Sequence, residues 1–201
     1  MIAIVDYGMG NIESVAMAFK KLGYDICVTD DIPTLELASH IVLPGVGAFP
    51  AAMEEIAKRG LREPLRKLAG TTPLLGICLG MQLLFSEGEE GGTPTKGLDI
   101  LPGRVTKMAT QEILPHMGWN TLKISPEYST FAPLEGKHVY FVHSYSVSTD
   151  KKWIVATADY GMNVTAIVKK NHVYGMQFHP EKSGDVGREL LKLFLKEAVA
   201  V

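Results

Sequence analysis

The stretch GICLGMQ (76–82) sets Cys78 between an apolar run and a pair of glycines. Spaced G-x-C-x-G, Gly76 and Gly80 flank the point where a strand-like run, TPLLGIC, passes into a helix-like run, LGMQLLFSEG. Small neighbours at that junction permit the tight turn that lifts a side chain out of a sheet, the thiol form of a nucleophile elbow. Amides of the following helical turn, beginning with Leu79, then lie near the sulfur, where they favour a thiolate and offer one donor to a developing oxyanion. Cysteine is most often a buried apolar residue, and Cys27, inside DICVTD with no glycines or partner nearby, is read that way.

A base for Cys78 is available in QFHPEKS (177–183). His179 and Glu181 follow the strand-like run HVYGMQF, and Pro180 stiffens the turn between them. A carboxylate two residues on can hold one imidazole nitrogen, fixing the tautomer and leaving the other nitrogen for the thiol. The expected constellation is therefore a Cys78–His179–Glu181 triad. A third element, LPGVGAF (43–49), is a strand broken by two glycines, which let backbone approach a ligand or turn an amide. Val46 or Gly47 is thus the expected source of a second oxyanion donor; without the triad the segment would read as a plain turn.

These side chains need a frame that brings distant segments to one edge. IAIVD, DICVTD, HIVLPG and TPLLGIC read as buried strands. Between them lie helical spacings: Ile12, Val15, Phe19 and Leu22, with Asn11 as N-cap and Gly23 as stop; a short helix over LELAS (35–39); and the segments 48–60 and 61–70. Strand–helix alternation predicts a parallel sheet with right-handed crossovers. After residue 97, six strand-like runs separated by turns, the last of them HVYGMQF, predict antiparallel pairs added to one edge, and GDVGRELLKLFLKEAV (184–199) predicts a closing amphipathic helix. The fold class is α/β: three layers, a flavodoxin-like, mostly parallel central sheet, helices on both faces, and antiparallel strands added in the C-terminal half. EGEEGGTPTKG (87–97) is expected to be an exposed loop, and residues 1–201 a single domain. In such a sheet ligands gather at the carboxyl ends of strands, where both Cys78 and His179 are expected.

Bulk properties exclude several functions. With 20 basic against 22 acidic residues and no basic run, the chain has no field suited to a nucleic-acid backbone or an anionic membrane. No apolar stretch approaches the ~20 residues that span a bilayer, and the opening MIAIVDYG lacks a signal-peptide pattern, so a soluble, cytoplasmic protein is expected. Two cysteines without C-x-x-C spacing give neither a disulfide framework nor a zinc site. YGMGN follows a strand and precedes a helix but is not the G-x-G-x-x-G of dinucleotide binders.

Taken together, GICLGMQ, FHPEKS and PGVG resemble the triad-type class I glutamine amidotransferases, which hydrolyse glutamine to glutamate and ammonia. VDYGMGNIESV, LPHMGWN and YFVHSY narrow the resemblance to the family of glutaminase subunits of imidazole glycerol phosphate synthase, over essentially the whole chain. The resemblance implies Cys78 as nucleophile, His179 as base, Glu181 as its orienting partner, and the Val46 and Leu79 amides as oxyanion site. It further implies that Gly47, Gln82, Glu90, Ser144 and Tyr145 surround the glutamine, with Glu90 holding its ammonium group, and that His116 and His143 are structural or interface residues. No metal or organic cofactor is implied. A (β/α)₈ cyclase subunit is implied as heterodimer partner, since the chain leaves no room for a domain that consumes ammonia. Asn11, Met117, Trp119, Tyr140 and Lys182 are the expected interface residues, because aromatic anchors and short polar groups near a site suit such contacts. Glutaminases of chorismate-derived or nucleotide synthesis, and cysteine hydrolases or chaperone-like proteins of the same fold, are the alternatives; Met81 after Gly80 does not separate the first group.

Overall fold

Four short apolar runs make the first strands of the sheet: β1 (Ile2–Val5), β2 (Ile26–Thr29), β3 (His40–Leu43) and β4 (Leu74–Ile77). A computed structural model describes residues 1–197. Helices α1 (Ile12–Lys21), α2 (Ile32–Glu36), α3 (Phe49–Lys58) and α4 (Arg62–Leu68) connect these strands, and α5 (Leu79–Leu83) leaves β4 directly. There follow β5 (Glu87–Gly88), β6 (Thr95–Lys96), β7 (Arg104–Lys107), β8 (His116–Thr121), β9 (Lys123–Ile124), β10 (His138–His143), β11 (Tyr145–Ser148), β12 (Ile154–Asp159), β13 (Asn163–Lys170) and β14 (Val173–Met176). Helix α6 (Gly184–Leu195) comes last.

Among the described residues the main sheet runs β2-β1-β3-β4-β14-β13-β12-β9. The first five of these strands are parallel, and the remaining three add antiparallel neighbours beyond β14. Both faces are covered, so successive residues of one strand enter different cores. Ala3 and Val5 pack with Leu35, Ile56, Leu65 and Leu83 from α2, α3, α4 and α5, whereas Ile2 and Ile4 pack with Phe19 of α1 and Phe194 of α6. Burying a side chain of that size stabilises by about 1.5–3 kcal/mol, which is why both faces read as near-continuous hydrophobic sequence.

Several local expectations are corrected. The short helix expected over 35–39 lies at α2 instead, because the Asp31 carboxylate caps it, accepting from the Thr34 amide at 3.0 Å, and Pro33 fits its first turn. Asn11 occupies the N-cap of α1 but makes no side-chain cap bond; Gly23, at φ +87°, does end the helix, returning its N–H to the Lys20 carbonyl at 2.9 Å. The helical reading of 79–88 overruns α5 by five residues, since Glu87–Gly88 pairs with Thr95–Lys96. Segment 87–97 is thus a small hairpin in a four-stranded sheet, β11-β7-β5-β6, rather than a loop alone. The run 137–148 breaks at Ser144 into β10, paired with β8, and β11, paired with β7. HVYGMQF, grouped by sequence with the antiparallel additions, supplies β14, which lies parallel to β4. Residues 198 and 199 of the expected last helix fall outside the described residues.

The insertion of β14 beside β4 positions the site. Gly175 faces Gly76 and Met176 faces Ile77 in register, and the Cys78 N–H donates to the Met176 carbonyl at 2.8 Å. Residues that follow the two strands therefore emerge side by side at their carboxyl ends. Glycines allow α5 to sit directly on this backbone: a Cβ on Gly80 would lie 1.8 Å from the Leu43 carbonyl oxygen, and one on Gly76 would lie 2.5 Å from the Gly80 oxygen.

Candidate active site

Cys78 occupies the one-residue corner between β4 and α5 with φ +53° and ψ −113°, a region that residues with a Cβ rarely enter and that costs about 1–3 kcal/mol. The strain is held by the surroundings: its N–H is bonded to β14, its carbonyl accepts from Gln82 N–H at 3.3 Å, and the flanking glycines let neighbouring backbone close directly around the corner. The corner turns the thiol into a cavity of about 400 Å³ that also reaches His179. At the start of α5 the Leu79 amide has no intrahelical acceptor, and this residue lines the same cavity.

His179 is held by its backbone before its ring is considered. Its N–H donates to the Tyr140 carbonyl at 2.9 Å, and its own carbonyl accepts from the Ser183 hydroxyl at 2.6 Å, while that hydroxyl accepts from Tyr140 N–H at 3.0 Å. The ring Nδ1 lies 2.8 Å from Glu181 Oε1, and both side chains are almost completely buried. A carboxylate can only accept, so Nδ1 carries the hydrogen and Nε2 is the free basic position. Nε2 is buried and forms no hydrogen bond among the described residues. Burial alone would lower the pKa of this imidazole, but the Cys78 sulfur and the Glu181 carboxylate outweigh it and raise the value from 6.5 to about 9. The larger part of the sulfur's effect is that of a hydrogen-bond partner to the imidazole and the smaller part is charge, although the thiol itself is set toward the Val142 carbonyl, 3.9 Å away.

The remaining expected site residues fall into two groups. Val46, Gly47, Leu79, Gln82, Glu90, Ser144 and Tyr145 all line the cavity with Cys78 and His179. Val46 is 42% exposed at its mouth, and Gly47 adopts φ +102°, where a side chain would be strained and its Cβ would meet Met9. Glu90 Oε2 accepts from Phe49 N–H at 2.7 Å, at the start of α3, so the helix terminus fixes the carboxylate and leaves its other oxygen open. The second group lies outside the cavity. Met117 and Trp119 are 61% and 57% exposed on β8, Trp119 pairs in register with half-buried Tyr140 on β10, exposed Lys182 lies in the turn that follows His179, and half-buried Asn11 is the N-cap of α1.

One polar residue, Gln177, escaped the sequence reading, and His143, read there as structural or interface, reaches the cavity. His143 lines the cavity and donates from Nδ1 to the Tyr145 carbonyl at 2.8 Å, while its Nε2 faces His116 Nδ1 at 3.1 Å. Burial lowers both imidazoles to about 4, so they are neutral at pH 7 and the chain of donors runs from His116 through His143 to Tyr145. Gln177 is fully buried beside Gln82 and Cys78. Its signal was a glutamine within the apolar run HVYGMQF, where a buried amide requires partners. A larger groove of about 570 Å³ between α1 and α6 reaches Glu181 from behind but presents no cysteine or histidine.

A buried histidine–carboxylate pair beside a strained cysteine elbow, on adjacent parallel strand ends, is a site for thiol chemistry, and the sequence comparison gives its class. Residues 3–198 match the model of the family described as glutamine amidotransferase class-I, and the chain belongs to that family. Within it, the chain is 52% identical over 192 residues to the imidazole glycerol phosphate synthase subunit HisH of Exiguobacterium sibiricum, covering 96% of this chain and 93% of that one. It is 45% identical to the protein of the same name from Methanothermobacter thermautotrophicus, covering 98% of each. Among solved structures it resembles a glutamine amidotransferase, with TM-score 0.78 at 20% identity over 97% of each chain, and PurLQS from Thermotoga maritima, with TM-score 0.72 at 20% identity over 96% of each; these show the shared fold.

Proposed function

We propose that this chain is the glutaminase subunit of an imidazole glycerol phosphate synthase, acting in histidine biosynthesis, with Cys78, His179 and Glu181 as its catalytic groups. The observation that carries the reading is the buried His179–Glu181 pair, whose one free nitrogen shares a cavity with the sulfur of the Cys78 elbow. The proton shared by the Cys78 sulfur and His179 Nε2 sits on the imidazole as the sulfur attacks the side-chain amide carbon of glutamine. The Leu79 and Val46 amides hold the oxyanion. As the C–N bond breaks, the imidazolium returns its proton to nitrogen, ammonia leaves, and a glutamyl thioester remains. Water, deprotonated by the same imidazole, then attacks the thioester, releasing glutamate and restoring the thiol.

The cavity suits a zwitterionic amino acid. Glu90 offers its free carboxylate oxygen to the ammonium group, and Gly47, Gln82, Ser144 and Tyr145 provide the surrounding amide and hydroxyl contacts. Ammonia passes to a separate (β/α)₈ cyclase subunit, with which the single domain of this chain forms a cytoplasmic heterodimer. Asn11, Met117, Trp119, Tyr140 and Lys182 contact that subunit, and the exposure of Met117 and Trp119 supports the placement. Turning of the Val46 amide completes the oxyanion site once the partner and its substrate are bound, so the isolated subunit is a poor glutaminase.

The test is glutamate release from glutamine, measured with a cyclase partner present. Cys78→Ala is expected to abolish release while leaving the melting temperature near that of the parent, and an undiminished rate in that variant would refute the assignment.

A further inference from the structure

Around the sulfur of Cys78 the orientation of two buried amides is fixed by a backbone group. The Tyr145 carbonyl can only accept, so the Gln82 atom 3.3 Å from it is Nε2. That same nitrogen lies 3.0 Å from the Gln177 side chain, which must therefore present its Oε1. The remaining atom of that amide, Nε2, is then aimed at Cys78 Sγ, 4.0 Å away. Reversing either amide would set two donors or two acceptors face to face. Gln177 is completely buried, so no solvent molecule has free access to replace it, and its backbone N–H is tied to the Ala166 carbonyl at 2.9 Å.

Another polar neighbour of the sulfur has the opposite preference. The Val142 carbonyl, 3.9 Å away, accepts from the S–H of the neutral thiol and has nothing to accept once the proton leaves. Ionisation therefore turns one contact from attractive to repulsive. A donor on another side is needed to offset it.

We propose that Gln177 is a positioning residue for the nucleophile: Gln82 locks its amide so that an N–H faces Cys78 and strengthens its hold on the sulfur when the thiolate forms. The inference rests on the reading of Cys78 as nucleophile and adds a group that itself touches no substrate. Hydrogen bonds to an ionised acceptor are roughly twice as strong as neutral ones, so the donor favours the thiolate over the thiol.

The experiment follows the rate of alkylation of Cys78 by iodoacetamide across pH, read from the mass of the peptide that contains it. Gln177→Met keeps the volume and removes the donor; its inflection is expected to move up by roughly half to one pH unit, slowing alkylation at neutral pH by about 3–10-fold. Gln82→Met leaves Gln177 in place but releases the lock, and a smaller upward shift is expected. The double variant should equal Gln177→Met alone, because the lock matters only through the donor. A packing role would leave both inflections at the parent value, and that result overturns the inference. If Gln177→Met does not fold, Gln82→Met decides by the same criterion. Failure of the functional reading looks different: glutamine hydrolysis would then persist in Cys78→Ala, whatever the inflections do.

Discussion

His179 holds its proton up to about pH 9 because the Cys78 sulfur and the Glu181 carboxylate together outweigh the burial that opposes it. In the proposed reaction that proton goes to the departing nitrogen, so glutaminase activity should fall on an alkaline limb near pH 9. Glu181→Gln removes one of the two supports and the group that fixes the tautomer. A pH–rate profile of this variant should show the limb moved downward and kcat reduced by about 10²–10⁴-fold; an unmoved limb would mean that Glu181 does not act through the imidazole. The same values govern stability. His179 is raised in the folded state, so its contribution is fully present below about pH 6.5 and is lost as pH rises through about 9. His116 and His143 are lowered to about 4, so the unfolded chain binds more protons than the folded one between about 4 and 6.5, and stability falls as pH drops through that window. Melting temperatures across pH should show both limbs, and His116→Gln should flatten the acid one. Cys78, His179 and Glu181 were legible because two short motifs carry them. Gln177 was not: it gains its meaning only from Gln82 on α5 and Cys78 at its corner, and the place of His143 beside the cavity comes only from the pairing of β10 with β8.

At the scale of elements, the corner that presents Cys78 depends on bare backbone at Gly76 and Gly80. A methyl group on Gly80 would meet the Leu43 carbonyl, which belongs to a central strand and has no room to move. Gly80→Ala is expected to cost about 1–3 kcal/mol or more, read from denaturant midpoints. Gly76→Ala should behave alike, whereas a Cβ on Gly92 meets nothing within 4 Å, so Gly92→Ala should cost only the smaller strain of its φ of +82°. Equal losses at 80 and 92 would count against the packing account. Strand–helix alternation in the first half was readable from apolar spacing, because each element buries its own periodic face. The errors came where a local signal was overruled or overlooked: Asp31 and Pro33 draw α2 toward the N-terminus, and β-pairing cuts α5 short. That β14 joins the parallel sheet beside β4 is a long-range pairing which no window around HVYGMQF contains.

At the scale of the whole molecule, the cavity and the exposed aromatic ribbon share β10, whose Val142 and His143 line the cavity and whose Tyr140 is bonded to both His179 and Ser183. A partner seated on β8 and β10 would therefore touch the strand that holds His179. Trp119 is 57% exposed, so Trp119→Ala should leave the melting temperature of the subunit nearly unchanged. In the proposed assembly it should weaken cyclase binding by about 2 kcal/mol, roughly 30-fold in Kd by titration calorimetry. Binding equal to the parent would remove this ribbon from the interface. The most direct measurement of the central claim is covalent labelling by a glutamine-shaped electrophile with the cyclase partner bound. The account predicts one adduct per chain on Cys78, none on Cys27, and protection by glutamine; an adduct on Cys27 alone, or labelling that glutamine does not slow, would contradict it.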